Sequence, residues 1–159
     1  MTRVGVAGAL GRMGRTVCGA VDRASEIAQR EGLGDRVKFR VGDALKDELG
    51  EATFDVVMAN NLVHGFTPQQ NADLAKRVAR ALSPGGVYAI GDFLRTSHPG
   101  AGGGVPAVMD LFFAVVNASG TWALREMVAW QRDAGLEPMK AVRFPSLPGW
   151  ASAPAAKSK

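Results

Sequence analysis

The chain has 159 residues, 47% apolar and 21% charged, which suits one soluble domain with a single core. No run of eighteen apolar residues occurs, so no membrane span is expected. The net charge is +4, but the basic residues are scattered (Arg36, Lys38 and Arg40, then Lys76, Arg77 and Arg80), which argues for a solvated face and against nucleic acid as a partner.

Arg3 to Ala7 is a short apolar run ending at Gly8, the pattern of a buried parallel strand. A strand beginning this early argues against a signal peptide, and the cytoplasm is the expected location. Gly11 to Arg30 reads as helix, with Val17, Val21, Ala24, Ile27 and Ala28 at helical spacing and Gly32 or Gly34 to end it. Cys18 is the single cysteine, which excludes an internal disulfide and a multi-cysteine metal site; no metal is expected. Arg36 to Val41 alternates and carries β-branched residues, so it reads as a strand. Phe54 to Ala59 reads as a second buried strand.

Thr67, Pro68 and Gln70 spell a capped helix start, with Leu74, Val78 and Leu82 as its apolar stripe and Ser83-Pro84-Gly85-Gly86 as its stop. Val87 to Ile90 is the next strand, ending at Gly91-Asp92, and Ser97 to Gly104 is a glycine-rich loop. Val105 to Asn117 is a nearly all-apolar helix that must be buried or cover something. Thr121 to Ala134 is a helix ended by Gly135, Pro138 to Phe144 a late strand, and 152–159 a frayed basic tail. The expectation is a single α/β domain over 1–151, a Rossmann-like three-layer sandwich on a mainly parallel sheet.

Ligands in such folds bind outside the C-terminal ends of the strands, which here carry Gly8, Asp43, Asn60-Asn61 and Gly91-Asp92. Gly8, Gly11 and Gly14 form a turn that lets a nucleotide approach the backbone at a helix start; a tight turn without a ligand is the alternative. A Rossmann site also needs an acidic residue at the end of the second strand, and Asp22 is the candidate for ribose. Residues 12–30 keep helical spacing, however. That makes Asp22 a surface residue and implies that one strand–helix element is missing near the N-terminus.

The stretch Val4-Gly5-Val6-Ala7-Gly8-Ala9-Leu10-Gly11-Arg12-Met13-Gly14-Arg15 resembles the N-terminus of dihydrodipicolinate reductase over residues 3–24. That resemblance implies NAD(P) as cofactor. From Leu33 onward the order Gly34-Asp35-Arg36-Val37, Gly42-Asp43-Ala44, Phe54-Asp55-Val56-Val57-Met58-Ala59-Asn60-Asn61, Leu82-Ser83-Pro84-Gly85-Gly86 and Met109-Asp110-Leu111 resembles class I S-adenosylmethionine-dependent O-methyltransferases. The second resemblance runs to Lys157. It implies that Asp43, with Ala44 beside it, holds the adenine amino group and that Asn60 or Asn61 faces the methionine end of S-adenosylmethionine. It also implies that His64 takes the proton from a small hydroxylated acceptor. Histidine titrates near neutral pH, which suits a general base. Gly-Asp is also an ordinary turn, and His64 read alone fits a loop cap equally.

Three functions follow: O-methylation, an NAD(P)-binding reductase-like fragment, or a non-catalytic degenerate domain. In the third, the apolar 105–116 stretch would pair copies into a homodimer.

Overall fold

The computed structural model describes residues 4–6, 14–40, 42–95, 104–117 and 119–159, with side chains described from residue 21 on. The chain divides into two compact units, residues 9–47 and residues 1–8 with 48–159.

In the smaller unit, α1 (Gly14–Arg30) matches the predicted helix. Its end is a Schellman motif: Gly32 adopts φ 69°, its N–H reaches the Gln29 carbonyl at 3.0 Å, and Leu33 N–H reaches Ala28 at 2.7 Å. The strand predicted over Arg36–Val41 does not form at residues 36–40, which have no strand partner; Val41 lies outside the described residues. Arg36 and Val37 spend their N–H groups on the Leu33 carbonyl, both at 2.9 Å, and Val37 and Phe39 are each 41% exposed. Alternation alone does not make a strand when no neighbour supplies a ladder and no face is buried.

The larger unit is built on a sheet of order β1 (Val4–Val6), β2 (Phe54–Asn60), β3 (Leu82–Phe93), β6 (Trp150–Ala156) and β4 (Glu137–Pro138), with β5 (Val142–Arg143) also paired to β6. β1, β2 and β3 are parallel, and β6 runs antiparallel to β3, β4 and β5. The sheet is therefore mixed, with its parallel half at β1–β3. No strand occurs between residues 30 and 54 among the described residues.

One face of the sheet carries Val57, Ala59, Tyr88, Ile90, Ala151, Ala153 and Ala155, all buried. Register puts Val57, Tyr88 and Ala155 in one row across three strands. α2 (Pro68–Ala81) and α4 (Leu124–Asp133) pack with each other and against this sheet through Leu74, Val78, Met127 and Gln131. α2 begins with the predicted capping box: Gln70 N–H donates to Thr67 Oγ1 at 3.3 Å and Thr67 N–H to Gln70 Oε1 at 2.9 Å. Gln131 is fully buried and its amide donates to the Tyr88 and Ala153 carbonyls at 3.2 and 2.8 Å, tying α4 to β3 and β6. Burial pushes the Tyr88 phenol well above its ordinary range, so it stays neutral and serves as core.

The sequence predicts a frayed tail at 152–159, and the structure corrects this: 150–156 is β6, a strand inside the sheet. Ala has weak strand preference and Pro154 cannot donate to a ladder, so the segment carries no strand signal. What recommends it is size. Alanines at 151, 153 and 155 present almost no bulk to the helices packed above. The late strand predicted over 138–144 is split into β4 and β5. Trp122 and Trp130 pack edge to face at 5.4 Å, although only Trp130 lies on α4. α3 (Gly104–Asn117) forms as predicted but is not buried: of its apolar residues only Pro106 and Phe113 are, while Val108, Leu111 and Val115 are each more than 60% exposed.

Candidate active site

β2 and β3 are parallel neighbours, so their C-terminal ends lie side by side, Asn60 opposite Gly91. The chain leaves β2 through Asn61 at φ 51° and enters a 3-10 turn at Val63–Gly65, which carries His64. Four contacts pin this turn. Asn71 of α2 donates to the Val63 carbonyl at 3.0 Å, and the Trp122 indole donates to the same oxygen at 2.9 Å. Ser119 Oγ donates to the His64 carbonyl. The His64 N–H donates to Asp92 Oδ2 at 3.2 Å.

Asp92, at the end of β3, is 1% exposed. Its carboxylate lies 2.9 and 3.0 Å from His64 Nδ1 and also accepts the Phe93 N–H at 2.8 Å. Three donors offset the desolvation of the buried charge. A carboxylate at Nδ1 assigns the proton to that nitrogen and leaves Nε2 with its lone pair. Phe113 of α3 stacks on the imidazole, ring centres 3.6 Å apart and planes 11° from parallel. His64 is thus oriented by a carboxylate at one edge and an aromatic ring on one face.

Beside it, Gly91 lets two side chains close over β3. A methyl group there would overlap Asn60 Oδ1 and the Trp150 ring. The Asn60 side-chain oxygen is buried with no hydrogen-bond partner, an acceptor at the strand end awaiting a donor. Asn61 Oδ1 accepts from the Trp150 indole at 3.2 Å.

Gly8 and Gly11 lie outside the described residues, and Gly14 is the first residue of α1. Asp22 is exposed in the middle of α1, not at a strand end, so the helical reading holds. Asp43 turns inward on its own loop: Oδ1 accepts the Leu45 N–H at 2.9 Å and Oδ2 lies 3.4 Å from Lys46 Nζ. That is an Asx-type turn. Ala44 within it is buried. Among the described residues no group of three or more His, Cys, Asp or Glu side chains is gathered to hold a metal, and no helix is long and apolar enough to cross a membrane.

The pairing of His64 with Asp92 and Phe113 was not legible from the motifs. The strand-end rule places Asp92 near the site, and adjacency of β2 and β3 is the signal that joins it to His64.

Residues 18–86 match the family described as a methyltransferase domain. The 27-O-demethylrifamycin SV methyltransferase of Amycolatopsis mediterranei is 35% identical over 136 residues, 84% of this chain and 48% of that protein. The erythromycin 3''-O-methyltransferase of Saccharopolyspora erythraea is 39% identical over 82 residues, 50% of this chain and 26% of that protein. Among solved structures, the mitomycin 7-O-methyltransferase MmcR superimposes with a TM-score of 0.77 at 18% identity, covering 99% of this chain and 49% of that one. The S-adenosylmethionine-dependent methyltransferase SibL superimposes with a TM-score of 0.73 at 20% identity, covering 89% and 41%. The fold is thus the Rossmann-like α/β fold of methyltransferases. The chain spans about half the length of the first of these relatives. The resemblance of residues 3–24 to dihydrodipicolinate reductase gains no support: the methyltransferase match begins inside that stretch, and the relatives are methyltransferases.

Proposed function

We propose that the chain acts as an S-adenosylmethionine-dependent O-methyltransferase domain on a small hydroxylated acceptor, with His64 as general base. The observation that carries this is the His64–Asp92 pair at the C-terminal ends of β2 and β3. S-adenosylmethionine, when bound, supplies an electrophilic methyl group on sulfur. Asn60 and Asn61 would hold its amino-acid end, the buried Asn60 oxygen accepting from the ammonium. His64 Nε2 accepts the proton of the acceptor hydroxyl as the oxygen becomes a nucleophile. Asp92 keeps Nδ1 protonated and stabilises the imidazolium that forms. The remaining demand is in-line positioning, which a pinned 3-10 turn suits.

The test is incubation with methyl-labelled S-adenosylmethionine and a panel of small phenols and sugar-type alcohols. Expected is a labelled methyl ether and an equal amount of S-adenosylhomocysteine. Cofactor binding without transfer to any hydroxyl would refute O-methylation.

A further inference from the structure

Among the described residues, a polar clasp ties α3 to the rest of its unit. Asp110 Oδ1 accepts the Thr121 N–H at 2.7 Å and the Thr121 hydroxyl at 2.6 Å, and Thr121 is fully buried. Arg95 reinforces the clasp: Nε donates to the Thr121 carbonyl at 2.8 Å and lies 4.0 Å from Asp110, with the guanidinium 5.1 Å above the Trp122 ring. Ser119 and Trp122, on either side of Thr121, are the residues that grip the carbonyls of His64 and Val63. One turn after Asp110 on α3 comes Phe113, flat on the His64 ring. Apart from Pro106, which packs at Gly149, and Phe113, the large apolar side chains of α3 are mainly exposed.

We infer that Asp110 is a positioning residue: by clasping Thr121 it holds α3 against the 3-10 turn, so that Phe113 fixes the plane of the His64 ring. Its catalytic consequence rests on His64 being the base. Asp110 touches neither the imidazole nor any reacting atom and acts only through Phe113.

The chain has two histidines, so the ring protons of His64 can be followed by NMR, with His98→Asn to separate the two. Protons of a ring stacked on an aromatic face are shielded. Wild-type His64 should show that upfield displacement, Phe113→Leu should lose it, and Asp110→Ala should lose it as well. Asp110→Asn, which keeps an acceptor toward Thr121, should retain it. In turnover, Asp110→Ala should lower kcat by about 10-fold with little change in acceptor KM, and Asp110→Asn should restore most of the rate. Asp110→Ser replaces Asp110→Ala if the latter does not fold, with the same loss expected. Unchanged His64 shifts in a folded Asp110→Ala or Asp110→Ser protein would overturn the inference. If His64→Ala leaves turnover intact, the base assignment falls instead, while the shifts still decide the clasp.

Discussion

His64→Ala lowers methyl transfer at saturating acceptor by roughly 10²–10⁴-fold, the range for loss of a positioned general base. S-adenosylmethionine binding stays at the wild-type level, because His64 lies on the turn after β2 and not at Asn60. The expected size follows from how the ring is held. The ring is held by two 2.9–3.0 Å contacts to a buried carboxylate and by a 3.6 Å stack, so its Nε2 is pre-aimed before an acceptor arrives. Alanine removes the proton acceptor and also strands Asp92, which keeps only its backbone donors from residues 64 and 93. Steady-state assay with parallel calorimetry checks both halves. An unchanged kcat, or a lost affinity for S-adenosylmethionine, contradicts the assignment.

The second large effect is expected at a residue that carries no chemistry. Gly91→Ala places a methyl group where Asn60 Oδ1 and the Trp150 ring now lie. Both neighbours are constrained: Asn60 ends β2, and the Trp150 indole is bound to Asn61. Overpacking of this kind costs about 1–3 kcal/mol. For a chain of this size that is a fall in Tm of roughly 2–12 °C. Displacing the Asn60 amide should also weaken S-adenosylmethionine binding by about 10-fold, a loss of roughly 1.4 kcal/mol. Thermal unfolding and titration of the same protein separate the two. A Tm loss with unchanged affinity would remove Asn60 from the cofactor site.

Sequence patterns were informative where local chemistry decides the structure. Thr67-Pro68 and Gln70 start α2, and Gly32 and Gly135 end α1 and α4, as their residue types require. β2 and the core of β3 follow from continuous apolar runs. The pattern misled where tertiary context overrides it. Val37 and Phe39 alternate like a strand but have no ladder to join. Residues 152–159 read as a tail, yet the small side chains of Ala153 and Ala155 fill the space beneath α4.

The same division holds at the site. His64 and the Asn60-Asn61 pair are recognisable from the residues that follow a strand. Asp92 is 28 positions from His64, and only the parallel pairing of β2 with β3 brings them together. Asp110 and Phe113 were hidden in an apolar helix whose length and hydrophobicity suggest burial. In fact its contribution is one aromatic face and one carboxylate.

The measurement that tests the central claim most directly is calorimetric titration of the purified chain with S-adenosylmethionine and, separately, with NADPH. The prediction is saturable binding of S-adenosylmethionine that weakens in Asn60→Ala, and no binding of NADPH. Binding of NADPH alone would contradict the account and return the site to the glycine turn at Gly8, Gly11 and Gly14. Binding of neither would mean that the His64–Asp92 pair stands in a domain that no longer holds its cofactor.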